Sequence, residues 1–168
     1  GYNAGYGITT GGQNTCYGNH AGNGITTGNS CIAIGNYALG LGSCTGNYNT
    51  TIGYYAGYSF TSGHNNVGVG TNANRNVNTG QYNVSVGSYC GRSITSGTHN
   101  SFLGPQAGYS CTTGYYNVNI GYNADYYNTT GAYNIALGYH SGKSSGNGNT
   151  ENYKLYINSH VGYYDDDS

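Results

Sequence analysis

Charge is what this chain has least of. Nine of its 168 side chains are acidic or basic, the formal net charge is −1, and between residues 1 and 137 only Arg75, Arg92 and Asp125 carry charge. A nucleic-acid-binding surface needs a row of cations to displace phosphate counter-ions, so no DNA or RNA partner is expected. Paired carboxylates for acid–base catalysis are missing from the same stretch. No apolar run reaches the roughly 20 residues of a membrane helix, and no basic start followed by an apolar run marks a signal peptide, so membrane insertion is not expected. Met is absent even from position 1, which reads as a processed product or a part of a longer chain. Val, Ile, Leu and Phe total only 23, too few for an ordinary two-layer core. A disordered chain of this kind would normally carry more net charge.

What is abundant is Gly (32), Asn (25) and Tyr (22), and they recur in register. First glycines stand at Gly1, Gly18, Gly35, Gly53, Gly70, Gly87, Gly104, Gly121 and Gly138, a period of 17 with one 18-residue unit. A second Gly follows ten places later, at Gly11, Gly28, Gly63, Gly80, Gly97, Gly114 and Gly131, and at Gly46 in the long unit. Self-similarity at a fixed period is the mark of a solenoid. Before each first Gly stand two residues at strand spacing, as in Ile32 and Ile34, Val67 and Val69, Val84 and Val86, or Ile135 and Leu137. They face one way and are expected to point inward. A column of small residues (Ala4, Ala21, Ala38, Ala56, Ala73, Cys90, Ala107, Ala124, Ser141) fits a tight corner. A second inward strand is predicted around Ile8, Ile25, Phe60, Val77 and Ile94, with Gly at both corners supplying positive φ. A column of Asn (Asn14, Asn49, Asn66, Asn83, Asn100, Asn117, Asn134), broken by Cys31, is expected to form a hydrogen-bonded ladder from coil to coil.

The fold class predicted is therefore all-β: a parallel β-roll or β-solenoid with coils of about 17 residues and two short strands per coil. Residues 1–142 make eight coils and the start of a ninth; 143–168 make an irregular C-terminal cap and acidic tail, with "NYKLYIN" (152–158) alternating like a closing strand. With about three aliphatic residues per coil, one roll has little apolar surface to offset backbone ordering at ~1–2 kcal/mol per residue. Self-association follows as an expectation, as a homotrimer or a longer polymer.

The segments "CIAIGNYA" (31–38), "NVNIGYNA" (117–124) and "NIALGYHS" (134–141) resemble the head repeats of trimeric autotransporter adhesins, and the longer frame "GYYAGYSFTSGHNN" (53–66) is similar to repeats of tail fibres from bacteriophages and large viruses. The resemblance covers residues 1 to about 142. It implies a trimeric parallel β-roll serving as head or shaft of an adhesive fibre, placed outside the cell or on a virion surface. In the tail-fibre family a self-cleaving assembly chaperone follows a closing segment and the cut follows a Ser, which makes Ser168 either a processing position or simply a sequence boundary.

Tyrosine carries the functional hint. Tyr6, Tyr58, Tyr109 and Tyr126 share one column, with Arg75 and Arg92 taking their place in two consecutive coils; Tyr48, Tyr82, Tyr116 and Tyr133 share another. Outward aromatic rows beside Asn and Thr suit sugars, because a ring face covers apolar C–H groups while amides meet hydroxyls. The same rows equally suit tyrosines that pack on one another or line a chain interface. Asn49, Asn83 and Asn128 head Asn-x-Ser/Thr sequons and are candidate glycosylation positions. The histidines (His20, His64, His99, His140, His160) form no close pair, so no metal site, catalytic residue or cofactor is expected. Counted from the preceding first Gly, Cys16, Cys31, Cys44, Cys90 and Cys111 fall at five positions and are expected to be mostly free thiols.

These readings predict a non-catalytic structural and adhesive fibre protein, presenting a surface for a cell-surface glycan or receptor. The alternative is a self-assembling extracellular fibril or surface coat whose coil ends stack without limit. An ice-binding face built on the Thr-Thr rows ranks below both, since adjacent residues in a strand point to opposite faces.

Overall fold

Each repeat unit becomes one coil. In the computed structural model, which describes residues 1–142 and 150–158, nine short strands lie in chain order in one parallel sheet: β1 (Thr15–Tyr17), β2 (Ile32–Ile34), β3 (Thr50–Ile52), β4 (Val67–Val69), β5 (Val84–Val86), β6 (Ser101–Leu103), β7 (Val118–Ile120), β8 (Ile135–Gly138) and β9 (Leu155–Asn158). Residues one unit apart are register partners, as Val67 with Val84 and Val84 with Ser101. The chain is thus a parallel β-solenoid with coils of about 17 residues, and no helix occurs among the described residues. The closing strand is β9, whose Leu155 pairs with Ile135. The segment 143–149, His160, the acidic run Asp165, Asp166 and Asp167, and Ser168 lie outside the described residues.

Three expectations are corrected. The first concerns the second strand of each coil. Ile25, Phe60, Val77 and Ile94 are fully buried as predicted, but the backbone around them is a turn, with only isolated bridges such as Ile25 to Cys44. In a strand, N–H donors are spread along the partner. Here the N–H groups of Thr95, Ser96 and Gly97 converge on the Thr112 carbonyl at 2.9, 3.3 and 3.1 Å, and the chain curls around that oxygen.

The second correction reverses the sheet. From β2 to β8 the second residue of each strand is the buried one: Ala33, Thr51, Ser85, Phe102 and Ala136 are at most 1% exposed. The flanking aliphatic residues point outward, with Val84, Ile120 and Ile135 each 41% and Leu103 50% exposed. The interior is too thin for the larger residues, because it already holds the Ala column and the side chains of Ile25, Phe60, Val77 and Ile94. Phe102 fits inside only beside a glycine: a Cβ on Gly108 would sit 2.6 Å from Phe102 Cδ2.

The third concerns the corners. First glycines are left-handed, as Gly87 with φ +139°, but second glycines such as Gly80 are not; Gly80 is required because a Cβ there would stand 2.5 Å from the Gly97 oxygen of the next coil. Two further left-handed corner columns are taken by larger residues. One column runs through His20, Tyr37, Tyr55, Asn72, Tyr89 and His140, the other through Tyr48, Asn65, Tyr82, His99, Tyr116 and Tyr133, all with φ between +52° and +59°. A bulky side chain in this region costs about 1–2 kcal/mol.

The asparagine ladder is present and continuous from Asn49 to Asn134. Each Nδ2 donates to a carbonyl of the next coil, as Asn83 to Gly97 at 2.7 Å and Asn100 to Gly114 at 2.8 Å. Each Oδ1 accepts the backbone N–H of the residue one coil on, as Asn117 N–H to Asn100 at 3.0 Å. The side chains are buried, so these bonds stand in for water at a corner that the backbone alone leaves unpaired. At Cys31 the thiol takes the amide's role, reaching Gly46 O at 3.4 Å.

Candidate functional site

The aromatic columns stand at the two ends of the strands, because each strand is entered past one left-handed corner and left past the other. At the entry corner His99 completes the predicted tyrosine column: Tyr82, His99, Tyr116, Tyr133 and Tyr153 stack in one run with centroids 4.8–5.2 Å apart. Tyr48, Tyr82, Tyr116 and Tyr133 remain 42–61% exposed. At the exit corner His20, Tyr37 and Tyr55 form a stack that was not singled out from the sequence, at 4.8 and 5.2 Å. Its signal was available in the period of 17, with His and Asn alternating for Tyr. An aromatic pair contributes about 0.5–1.5 kcal/mol beyond its buried area, which offsets much of the left-handed backbone cost.

The other predicted column lies beside this exit stack. Tyr58 is 4.6 Å from Tyr55, Arg75 lies over Tyr58 at 5.5 Å, and Arg92 lies over Tyr109 at 5.4 Å, its Nη1 donating to the Tyr109 hydroxyl at 2.7 Å. Tyr109 stacks on Tyr126 at 4.8 Å. Tyr6, in the first coil, is 79% exposed. The tyrosines therefore both pack on one another and present surface, so the two readings drawn from the sequence are compatible.

The sequon asparagines are placed differently. Asn49, Asn83 and Asn128 are at most 1% exposed, and each Nδ2 donates a 2.7 Å bond, to Gly63 O, Gly97 O and Asp125 Oδ2 respectively. In the folded coil none of the three offers its amide nitrogen to a glycosylating enzyme. His20 and His140 share a column but stand at opposite ends of the solenoid, and among the described residues no three His, Cys, Asp or Glu side chains are grouped to hold a metal. All five cysteines are free thiols. Cys44 pairs with Ile25, so the long unit brings it into the column that also holds Cys111. Cys31 and Cys44 converge on the Gly46 oxygen; the contact with Cys44 holds Cys31 down to about 7 and pushes Cys44 up. Burial pushes Cys90 and Cys111 up to about 12, which keeps them protonated.

Among the described residues one charged side chain, Asp125, lies inside the solenoid. Gly57, Gly91 and Gly108 mark an inward left-handed column in which Asn74 and Asp125 take glycine's place at φ +49° and +50°. Asn74 is satisfied by Ser85 Oγ at 2.6 Å and Val67 O at 2.9 Å. Asp125 receives the Asn128 amide on Oδ2, but its Oδ1 has no partner among the described residues. Burial pushes the Asp125 carboxyl up to about 6 against the opposing pull of Asn128 and Asn119. The native state thus holds this proton more tightly than the unfolded chain does. Stability is complete below about pH 4 and falls as the pH rises through about 6, by ~2–3 kcal/mol in all. Asp125→Asn, which repeats the choice made at Asn74, is expected to raise stability at pH 7.5 by about 2 kcal/mol and to flatten the profile. Urea denaturation of both proteins at pH 4.5 and 7.5 checks this; a wild type equally stable at the two pH values refutes it.

Among the described residues no helix is long and apolar enough to cross a membrane. No family model, curated protein or solved structure matches the chain.

Proposed function

We propose that this protein is a non-catalytic structural and adhesive fibre segment, which associates with copies of itself through the outer face of its sheet and offers its aromatic corners to a cell-surface ligand. The observation that carries the reading is the outward pair of aliphatic rows. One row includes Ile32, Val67, Val84, Val118, Ile135 and Leu155, the other Ile34, Ile52, Val69, Val86, Leu103, Ile120, Leu137 and Ile157. A monomer seldom leaves so continuous an apolar strip in water. Nine strands span about 40 Å, and a strip that long offers on the order of 500 Å² per chain, so three strips gathered around one axis bury on the order of 1,500 Å², the range of a specific interface. Over Phe102 the strip dips into an apolar hollow of about 280 Å³ between Val84, Val86, Leu103 and Ile120, shaped to receive a side chain from another copy. No charged residue lies on β1 to β8 to oppose such packing.

The test is the mass in solution by light scattering across a wide concentration range. A constant mass of three chains is expected. Leu103→Lys with Ile120→Lys should abolish the three-chain mass, since both side chains point outward where the copies are proposed to meet. A wild type that stays monomeric at high concentration refutes the association. Growth into long polymers would instead favour the extracellular fibril, in which coil ends join.

A further inference from the structure

We propose that the groove between Tyr54 and Arg92 binds a glycan through one acidic sugar bearing a carboxylate or a sulfate; this rests on the reading of the aromatic corners as an attachment surface. The groove opens where a stack is interrupted. His20, Tyr37 and Tyr55 repeat at one coil spacing, but the next place in the column holds Asn72 and the one after it Tyr89. Omitting one ring leaves two coil spacings, ~10 Å, between the flanking rings, room for a puckered ring between them. The resulting groove has a volume of about 390 Å³ and is lined by Tyr54, Tyr55, Asn72, Arg75, Tyr89 and Arg92. That lies within the roughly 300–1,000 Å³ of small-molecule clefts. Tyr54 and Tyr89 keep 52% and 37% of their surface exposed, so ring faces are available to sugar C–H groups and the Asn72 amide to hydroxyls.

In the same coils the neighbouring column changes from Tyr to Arg. Arg75 lies over Tyr55 at 5.7 Å and Tyr58 at 5.5 Å, and Arg92 over Tyr89 at 6.0 Å and Tyr109 at 5.4 Å. These π contacts hold both guanidinium planes without neutralising them. No carboxylate lines the groove, and Asp125 is buried inside the solenoid; each Nε is itself buried and without a hydrogen-bond partner among the described residues, so the guanidinium ends are what the groove presents. Two guanidinium charges one coil apart, neither facing a carboxylate, fit an oxyanion through their remaining N–H donors, Arg92 being held in place by its Nη1 bond to the Tyr109 hydroxyl. The column returns to Tyr58 on one side and Tyr109 on the other. A polyanion would need a longer row of cations. One negative group beside an apolar ring face describes an acidic pyranose.

Titration calorimetry with 3′-sialyllactose, 3′-sulfolactose and lactose tests this, on the wild type and on Arg75→Gln, Arg92→Gln and Arg75→Lys, each checked for unchanged melting. At least one acidic sugar is expected to bind 10-fold or more tightly than lactose, and the better of the two names the acid. Each Gln variant should lose 10-fold or more, Arg75→Lys less, and added salt should weaken binding. If lactose binds as well as the acidic sugars and the Gln variants leave it unchanged, the acidic class is overturned while a carbohydrate surface stands. If no saccharide binds, the carbohydrate reading falls with it, and the association of chains is judged separately by solution mass. Tighter binding of a ten-nucleotide oligothymidylate than of either acidic sugar would assign the groove to a phosphate backbone and overturn the proposal.

Discussion

Gly87→Ala is expected to abolish cooperative folding of the central coils. Gly87 has φ +139°, outside the range that L side chains adopt readily, and an added Cβ would stand 2.5 Å from Gly104 O and 2.6 Å from Gly104 C. Those atoms are backbone of the next coil and are fixed by their own bonds, such as Gly104 N–H to Val86 O at 2.8 Å. Relief requires the coils to part, which breaks the sheet bonds on either side. A solenoid is held by contacts between neighbouring units, so a break in the middle divides it into two short stacks. We expect soluble protein with a depressed or missing melting transition by circular dichroism. Gly12→Ala is the control: its Cβ would meet only Asn29 Oδ1, at 3.6 Å, and φ there is not left-handed. That variant should match the wild type. Equal melting of Gly87→Ala and Gly12→Ala would refute the account of the corner.

Asn100→Ala is expected to cost about 3–5 kcal/mol, from two orphaned buried backbone groups at ~1–3 kcal/mol each and a small cavity. The side chain donates to Gly114 O at 2.8 Å and Asn83 Oδ1 at 2.9 Å, and accepts from Asn117 N–H at 3.0 Å. With the amide gone, the Gly114 carbonyl and the Asn117 N–H lose these partners in a place where water does not enter. Against a net stability of about 5–15 kcal/mol this is a large fraction. Asn14→Ala provides the comparison, since Asn14 is half-buried in the first coil, where fraying already exposes the corner. Its cost should stay near ~1 kcal/mol. Equilibrium urea denaturation separates the two, and a loss at Asn100 no greater than at Asn14 would refute the ladder's role. Asn100→Asp is a sharper variant, because it keeps the acceptor and removes the donor. It should fall close to Asn100→Ala.

Much of this architecture was legible in the chain. A period of 17 with glycine at a fixed phase leaves the backbone one economical solution, a coil that repeats in register, and the Asn column declared its ladder because amides stacked at one coil spacing pair with each other and with backbone. The inward placement of Ile25, Phe60, Val77 and Ile94 was also readable, since each is an isolated apolar residue in a polar surround. The sense of the strands was not. Alternation divides a strand into two faces without saying which is inside, and a shift of one residue exchanges them. The larger aliphatic residues suggested the interior, but the width of the coil decided otherwise. With an alanine column opposite, mostly small residues fit behind the strand, as Ala33, Thr51, Gly68 and Ser85, along with Asn119 and a glycine-backed Phe102.

The candidate surface divides in the same way. The order of residues was enough to establish the columns: which side chains recur at one coil spacing, that Arg75 and Arg92 replace tyrosine in consecutive coils, and that charge in the repeats is almost confined to them. Folding decided which columns adjoin. Tyr55 and Asn72 stand beside Tyr58 and Arg75 because the left-handed corner turns the chain back on itself between them, and the torsions of that corner, carried by tyrosine and histidine instead of glycine, have no signature in the repeat pattern. Folding also placed the sequon asparagines inside and the aliphatic rows outside. Both outcomes rest on volume: a coil of about 17 residues encloses so little space that hydrogen-bonded amides and small side chains fill it, and larger apolar groups must find their partners elsewhere.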